Sequence, residues 1–189
     1  MEPDDQRDTH AALTIPNIIT MIRIAATPLF IILLIQDEYQ TALVLFLLAG
    51  LSDLVDGLIA RTWRQKSPLG AYLDPLADKL LLSSSFLARG YFQKMPAWLA
   101  VIVISRDVLI VGGIVSLKLF DLQVVIQPER VSKWATAFQI LAVFFVLWAQ
   151  VTAFPPVILW GCFYVTAALT VYSGFQYLGR GLRILNHNS

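Results

Sequence analysis

The sequence has few charged residues and a single cysteine, and both shortages narrow the class of protein. Only 14% of the 189 residues are charged, against about 25% in soluble domains. Basic and acidic residues nearly balance at a net charge of +1, so the chain has no overall basic field for binding nucleic acid. Cys162 has no second cysteine for an internal disulfide, and it lies in an apolar run that favours a packing role. A disulfide-stabilised soluble domain and a nucleic-acid-binding domain are both disfavoured.

Apolar residues are abundant instead, at 57% of the chain with a mean hydropathy of +0.68. They form six segments, each close to the roughly 20 residues that a helix needs to span a bilayer. The segments cover about 15–36, 41–61, 69–92, 96–120, 130–151 and 155–181. We therefore predict an all-α integral membrane protein with six transmembrane helices and a short N-terminal interfacial segment.

The polar ends and the basic residues suggest an organisation and an orientation. Residues 1–13 form a polar, acidic tail that lacks the pattern of a secretory signal; residues 14–185 form the membrane domain, and 186–189 a C-terminal tail. Basic residues concentrate on the side of the membrane that holds both termini and the 61–66 loop, which predicts that this side is cytoplasmic. The short acidic N-terminus favours a bacterial inner membrane.

Four aspartates interrupt the apolar pattern between residues 52 and 79. Asp53 and Asp56 are three residues apart and Asp74 and Asp78 are four apart, so each pair shares one face of a helix. A short turn between the two helices would bring the pairs together, where unpaired carboxylates repel strongly. Either some carboxyls stay protonated, or cations bind. Hard oxygen donors suit Mg²⁺, Mn²⁺ or Ca²⁺, and two such ions would suit phosphoryl transfer.

Small residues and an arginine accompany the aspartates. Gly57 follows Asp56, and Gly70 lies one turn before Asp74. Glycine inside a helix costs roughly 1 kcal/mol against alanine, so a close approach by a ligand or another backbone is the expected reason for it. Ala60 keeps the same face shallow, and Arg61 supplies a planar cation that matches phosphate oxygens.

This arrangement resembles the signature of the CDP-alcohol phosphotransferase family. The matching pattern is Asp53-x-x-Asp56-Gly57-x-x-Ala60-Arg61, then eight residues, then Gly70-x-x-x-Asp74-x-x-x-Asp78. The stretches "PNIITMIRI", "ISRD" and "VSKWATAFQ" are also similar to segments of the family. The resemblance implies six transmembrane helices, a homodimer, and displacement of CMP from a CDP-linked lipid, here CDP-diacylglycerol, by an alcohol.

The resemblance also implies roles for individual residues. Metal ligands, for two ions of Mg²⁺ or Mn²⁺, would be Asp53, Asp56, Asp74 and Asp78. Asp78 would also act as the general base on the acceptor hydroxyl. Residues on the CDP-lipid side would be Asn17, Thr20, Gly57, Ala60, Arg61 and Gly70, with Arg61 near the diphosphate and the small residues shaping the cytidine site.

Two other charged positions concern the acceptor alcohol. Arg106, followed by Asp107, lies roughly ten residues into the fourth segment, and an intramembrane charge is a functional candidate. A structural ion pair is the alternative. Lys133 begins the fifth segment, where a snorkelling interfacial lysine is the simpler explanation. In the functional interpretation, Arg106 and Lys133 bind a phosphate of the acceptor.

The two acceptors that fit best are phosphatidylglycerol and glycerol 3-phosphate, ahead of inositol and serine. Family members that use glycerol 3-phosphate usually carry a second lysine at the position of Ala135 and an arginine in the second half of the fourth helix. Here that half reads "LIVGGIVSLK". A phosphomonoester would lose cationic partners, whereas a phosphodiester needs fewer. The stretches "PNIITMIRI", "LDPLADK", "ISRDV" and "SKWATAFQ" also look closest to members of the family that use phosphatidylglycerol as acceptor. We therefore expect phosphatidylglycerol as acceptor, with glycerol 3-phosphate as the alternative.

A cation or proton transporter could use the same carboxylates. Transporters of this kind often show repeated halves with charges near the bilayer midplane. The sequence shows no convincing internal repeat, and its aspartates cluster at one interface beside Arg61. The enzyme interpretation is therefore preferred.

Overall fold

The structure is a computed structural model. It describes the backbone of residues 15–62, 79–86, 95–119 and 130–187, and the side chains of 20–52, 79–86, 95–113 and 131–180. Gly70, Asp74 and Asp78 lie outside the described residues.

The described residues form six helical stretches and no strand. They are α1 (Ile15–Ile35), α2 (Tyr39–Thr62), α3 (79–86), α4 (Ala97–Leu119), α5 (Arg130–Val151) and α6 (Pro156–His187). The predicted all-helical class is confirmed. The ends of α1, α2, α4 and α5 agree with the predicted segments to within a few residues, whereas α6 continues past residue 181 to His187. The ends of the third predicted segment, 69–92, lie outside the described residues.

Local chemistry explains several helix ends. Pro156 opens α6, where its missing N–H leaves no bond unmade and its fixed φ suits a helix. Between α1 and α2, Asp37 adopts the left-handed conformation with φ of 58°, which Asp tolerates better than most residues. The Glu38 N–H donates to the Leu33 carbonyl at 2.9 Å, and the Tyr39 hydroxyl donates to the Asp37 carboxylate. This tight turn makes α1 and α2 neighbours.

The chain divides into two compact units, Met1–Ser85 and Phe86–Ser189. In the first unit, α1 packs against α2. Phe30 and Leu34 of α1 and Phe46 of α2 are buried, and the two phenylalanine ring centroids lie 6.0 Å apart. Apolar packing therefore holds α1 against α2.

In the second unit, α6 packs against both α4 and α5. Buried apolar side chains come from all three helices, including Leu99 and Val103, Val143 and Leu147, and Phe163. Because α6 contacts both neighbours, side chains of α4 and α5 can meet along its surface.

The distribution of polarity among the described side chains favours a membrane protein. Large apolar side chains face outward, among them Val157 at 81% exposure and Phe175 at 69%. Buried polar side chains are Thr20, Arg23, Thr27, Ser85, Arg106, Gln139, Thr166, Thr170 and Ser173. Outward-facing apolar side chains and buried polar ones are favourable in a bilayer, because lipid tails cannot hydrogen-bond to exposed polar groups.

Within the described part of the chain, two stretches are long and apolar enough to cross a bilayer, Val131–Val151 of α5 and Pro156–Arg180 of α6. The first two helices contain shorter apolar stretches, Thr20–Ile35 and Tyr39–Ser52. A membrane-embedded helical protein is therefore supported, and the full set of six spans stays a prediction.

Candidate functional site

Arg106 is the centre of a polar cluster in the second unit. It is the tenth residue of α4 and only 6% exposed. Its Nη1 lies 2.8 Å from Asp107 Oδ1. Its Nη2 donates to Ser132 Oγ of α5 at 2.5 Å and to Ser173 Oγ of α6 at 3.0 Å. One guanidinium therefore links α4, α5 and α6.

The α6 side of this cluster adds an aromatic ring and a small residue. The Tyr177 ring centroid lies 5.9 Å from Arg106 Cζ, within the range of a cation–π interaction. Next to Ser173, Gly174 faces the stem of the same arginine, and a Cβ added there would lie 3.7 Å from Arg106 Cγ. The arginine side chain thus lies along one face of α6.

The guanidinium retains unused donors. Arginine has five N–H groups; the two serines take those of Nη2, and Asp107 takes one of Nη1. Among the described residues, the buried Arg106 Nε has no hydrogen-bond partner. A buried donor without a partner is costly, by roughly 1–3 kcal/mol. An anionic ligand would satisfy it.

The charge of the cluster is small. Asp107 offsets the charge of Arg106 at hydrogen-bond distance. Lys133 is exposed on the first turn of α5, directly after Ser132. The structure therefore places the two predicted acceptor residues on two helices that both pack against α6, with Arg106 buried and Lys133 at the surface.

Ala135 is fully buried, one turn beyond Ser132 on α5. Residues three apart share a helix face, so position 135 lies on the side of α5 that contacts Arg106. An alanine there adds no cation to the cluster.

Further polar contacts fix α5 against α6. Gln139 Nε2 donates to Thr170 Oγ1 at 3.2 Å, and the Thr166 hydroxyl donates to the Phe138 carbonyl at 3.2 Å. In lipid, such interhelical hydrogen bonds hold helices in register. They therefore strengthen the packing of α5 against α6 without contacting Arg106 themselves.

The predicted CDP-lipid residues lie in the first unit. Thr20 of α1 is fully buried; Asn17 is in the same helix, but its side chain is outside the described set. The backbone of α2 is helical through Asp53, Asp56, Gly57, Ala60 and Arg61. The two aspartates are therefore one helical turn apart, as predicted, although the description does not extend to their side chains.

The metal ligands stay predictions. Among the side chains that the structure describes, no three acidic, histidine or cysteine residues come together, and all four aspartates fall outside that set. The donor chemistry does fit, because carboxylates one turn apart on α2 are hard oxygen ligands of the kind that Mg²⁺ and Mn²⁺ prefer.

Sequence reasoning identified Arg106 but missed Ser132, Ser173 and Tyr177, which surround it. One signal was available: the polar residues Thr166, Thr170, Ser173 and Tyr177 recur every three or four positions in an apolar segment. That spacing marks one face of a helix. It does not reveal which helix the face contacts.

A comparison with known proteins defines the class. The sequence profile of the CDP-alcohol phosphatidyltransferase family matches residues 13–172, so the chain belongs to that family. This confirms the resemblance found in the aspartate pattern.

Among similar curated proteins, the cardiolipin synthases (CMP-forming) of Rattus norvegicus and Homo sapiens are each 34% identical over 192 residues, covering 91% of this chain and 64% of theirs. The chain thus spans somewhat less than two thirds of the length of these relatives. The CDP-diacylglycerol–glycerol-3-phosphate 3-phosphatidyltransferase of Bacillus subtilis is 32% identical over 192 residues, covering 90% of this chain and 96% of its own. The relatives are therefore named for two different reactions.

Proposed function

We propose that this chain transfers the phosphatidyl group of CDP-diacylglycerol to a hydroxyl of phosphatidylglycerol, forming cardiolipin and CMP. The observation that carries the choice of acceptor is the buried Arg106, whose charge is already offset by Asp107. Family membership favours this class of reaction over a cation or proton transporter.

The charge of the acceptor decides between the two alcohols. Phosphatidylglycerol has a phosphodiester with one negative charge, whereas a phosphomonoester carries about 1.5 to 2 at neutral pH. With Asp107 beside Arg106, Lys133 supplies the balancing positive charge, and Ala135 adds none. The cluster suits a single negative charge better than two.

Glycerol 3-phosphate is the second candidate. It is supported by the Bacillus subtilis relative, which matches over 96% of its own length. The two candidates share donor, fold and leaving group, so they differ only in what binds beside Arg106.

The donor side of the reaction is assigned to the first unit. Asp53, Asp56, Asp74 and Asp78 would hold two divalent ions, Mg²⁺ or Mn²⁺. When bound, such ions neutralise diphosphate charge and stabilise the CMP leaving group. Asn17 and Thr20 would contact the nucleotide, and the small residues Gly57, Ala60 and Gly70 would leave room for it.

The protein residues perform the remaining steps. Asp78 takes the proton from the acceptor hydroxyl, because an unassisted hydroxyl is a poor nucleophile. The hydroxyl oxygen then forms a bond to the phosphorus that carries diacylglycerol, and the bond from that phosphorus to the CMP oxygen breaks. Arg61 binds the diphosphate.

We further propose a homodimer in a bacterial inner membrane, with both termini and the aspartate segment on the cytoplasmic side, as the distribution of basic residues indicates.

A product assay tests the proposal. Purified protein in lipid nanodiscs receives CDP-diacylglycerol and Mg²⁺ with either phosphatidylglycerol or glycerol 3-phosphate, and the lipid product is identified by mass. We expect cardiolipin and CMP with phosphatidylglycerol alone, and no product after chelation of the metal. If the only product were phosphatidylglycerophosphate, formed in the reaction with glycerol 3-phosphate, the acceptor argument would be refuted but the class of reaction would stand. In the same assay, Arg106→Ala should raise the KM for the acceptor more than the KM for CDP-diacylglycerol.

A further inference from the structure

The face of α6 that contacts α4 carries a role that the proposed function does not yet include. We propose that Ser173 and Tyr177 are positioning residues: they hold the Arg106 guanidinium in the orientation that binds the acceptor phosphate. This inference rests on the proposed function, because it presumes that Arg106 binds the acceptor. It makes α6 the third side of the acceptor site.

Ser173 differs from the hydroxyl residues that precede it on α6. The Thr170 hydroxyl donates to its own helix, at the Thr166 carbonyl, and accepts from the neutral amide of Gln139. Ser173, which is 1% exposed, instead accepts a hydrogen bond from the charged Arg106 Nη2. Hydrogen bonds to charged groups are the stronger kind. Ser173 therefore acts on the arginine, whereas Thr170 joins two helices.

Together, these contacts hold the guanidinium group of Arg106 in a single orientation. Nη2 is held between Ser132 and Ser173, Nη1 is held by Asp107, and the Tyr177 ring lies near Cζ. An arginine side chain fixed in this way loses little freedom when a ligand binds, and such pre-organisation strengthens binding. The unpartnered Nε then has a fixed direction in which to meet an anion.

Loss of the Ser173 hydroxyl frees one side of Nη2, and we expect the effect in acceptor binding. Ser173→Ala should raise the KM for the acceptor about tenfold, the size expected for one hydrogen bond to a charged group. The KM for CDP-diacylglycerol and kcat at saturating acceptor should change by less than about twofold, because the lost interaction is one of acceptor binding. Thr170→Val is the matched control: it removes a hydroxyl one turn away on the same face and should leave both KM values unchanged.

Tyr177 gives an independent test that does not depend on how Ser173→Ala folds. Tyr177→Phe keeps the ring near the guanidinium and should retain the wild-type acceptor KM. Tyr177→Leu removes the ring and should raise that KM roughly fivefold, as loss of a cation–π contact predicts. If Tyr177→Phe and Tyr177→Leu changed the acceptor KM equally, the proposed role of the ring would be overturned.

A double-mutant cycle separates positioning from general packing. Arg106→Lys keeps the positive charge but removes the planar fork that the serines hold. If Ser173 acts through Arg106, adding Ser173→Ala to Arg106→Lys should raise the acceptor KM little further. The inference would be overturned if the double variant raised the acceptor KM by the product of the two single fold-changes. It would also be overturned if Ser173→Ala lowered thermal stability but left both KM values unchanged.

The series is run with whichever acceptor the wild type uses, so that two failures stay distinct. Use of glycerol 3-phosphate alone would refute the proposed acceptor, yet the KM series would still test positioning. Suppose that Arg106→Lys raises the acceptor KM, whereas Ser173→Ala and Tyr177→Leu keep the wild-type acceptor KM. That result would overturn only this inference. An unchanged KM in Arg106→Lys would overturn both the acceptor site and the inference.

Discussion

Removal of the Asp107 charge should change which acceptor the protein prefers. Asp107→Asn keeps an oxygen that can accept from Arg106 Nη1 but leaves the guanidinium charge uncompensated. Asp107 Oδ1 is 2.8 Å from that nitrogen, so an acceptor phosphate on Arg106 would lie about two hydrogen-bond lengths, roughly 6 Å, from the carboxylate. Repulsion at that distance is about 3 kcal/mol per ligand charge at an effective dielectric constant of about 20.

Glycerol 3-phosphate carries up to one more negative charge than phosphatidylglycerol, so it gains more from the substitution. The Asp107 side chain is 14% exposed; solvent near the pair and screening by salt reduce the difference to about 1.5 kcal/mol. That corresponds to a shift of roughly tenfold in the ratio of kcat/KM toward glycerol 3-phosphate.

The assay measures kcat/KM for both acceptors at low and high salt, with Asp107→Glu as the control that keeps the charge. We expect the shift in the Asn variant alone, and a smaller shift at high salt. A folded Asp107→Asn variant with the wild-type ratio would refute the charge argument for the acceptor, even if both reactions are observed.

Three further predictions concern catalysis and stability. Asp78→Asn should lower kcat by about 10² to 10⁴ because it removes the proposed base; near-normal turnover with retained folding would exclude that role. Gln139→Leu should lower the free energy of unfolding in bicelles by about 0.6 kcal/mol, the usual worth of an interhelical hydrogen bond in a membrane, with the acceptor KM unchanged; a changed KM would place Gln139 in the site. Asp37→Gly should raise the melting temperature slightly, because glycine avoids the roughly 1 kcal/mol that a side chain costs in the left-handed conformation; a large loss of stability would mean that the contact with Tyr39 outweighs the backbone term.

The helices could be predicted from the sequence because their ends coincide with chemical changes. Prolines near residues 96 and 155 and the charged turn after α1 mark boundaries that the structure confirms. The extension of α6 to His187 was missed. Hydropathy marks where a helix leaves lipid, whereas backbone hydrogen bonding decides where the helix ends.

The candidate site could be predicted only where the residue type is rare in its surroundings. Arg106 stands out because a charge inside an apolar segment is costly. Ser132 and Ser173 do not, since serine is common in membrane helices and can bond to its own backbone. Their role depends on how three helices pack, and the spacing of residues along one helix does not contain that information.

The dependence of Arg106 on α6 has a consequence for biosynthesis. Helix α4 leaves the ribosome well before Ser173, which follows Arg106 by 67 residues. Until α6 arrives, the guanidinium lacks one of its bonding partners, and in the predicted membrane span of α4 an arginine would cost about 2.5–3.5 kcal/mol at the centre of the helix. A chain stalled before α6 would therefore leave the charge of Arg106 under-satisfied in this predicted span. The polar contacts of Arg106 would be complete only once the last helix of the chain has packed against α4.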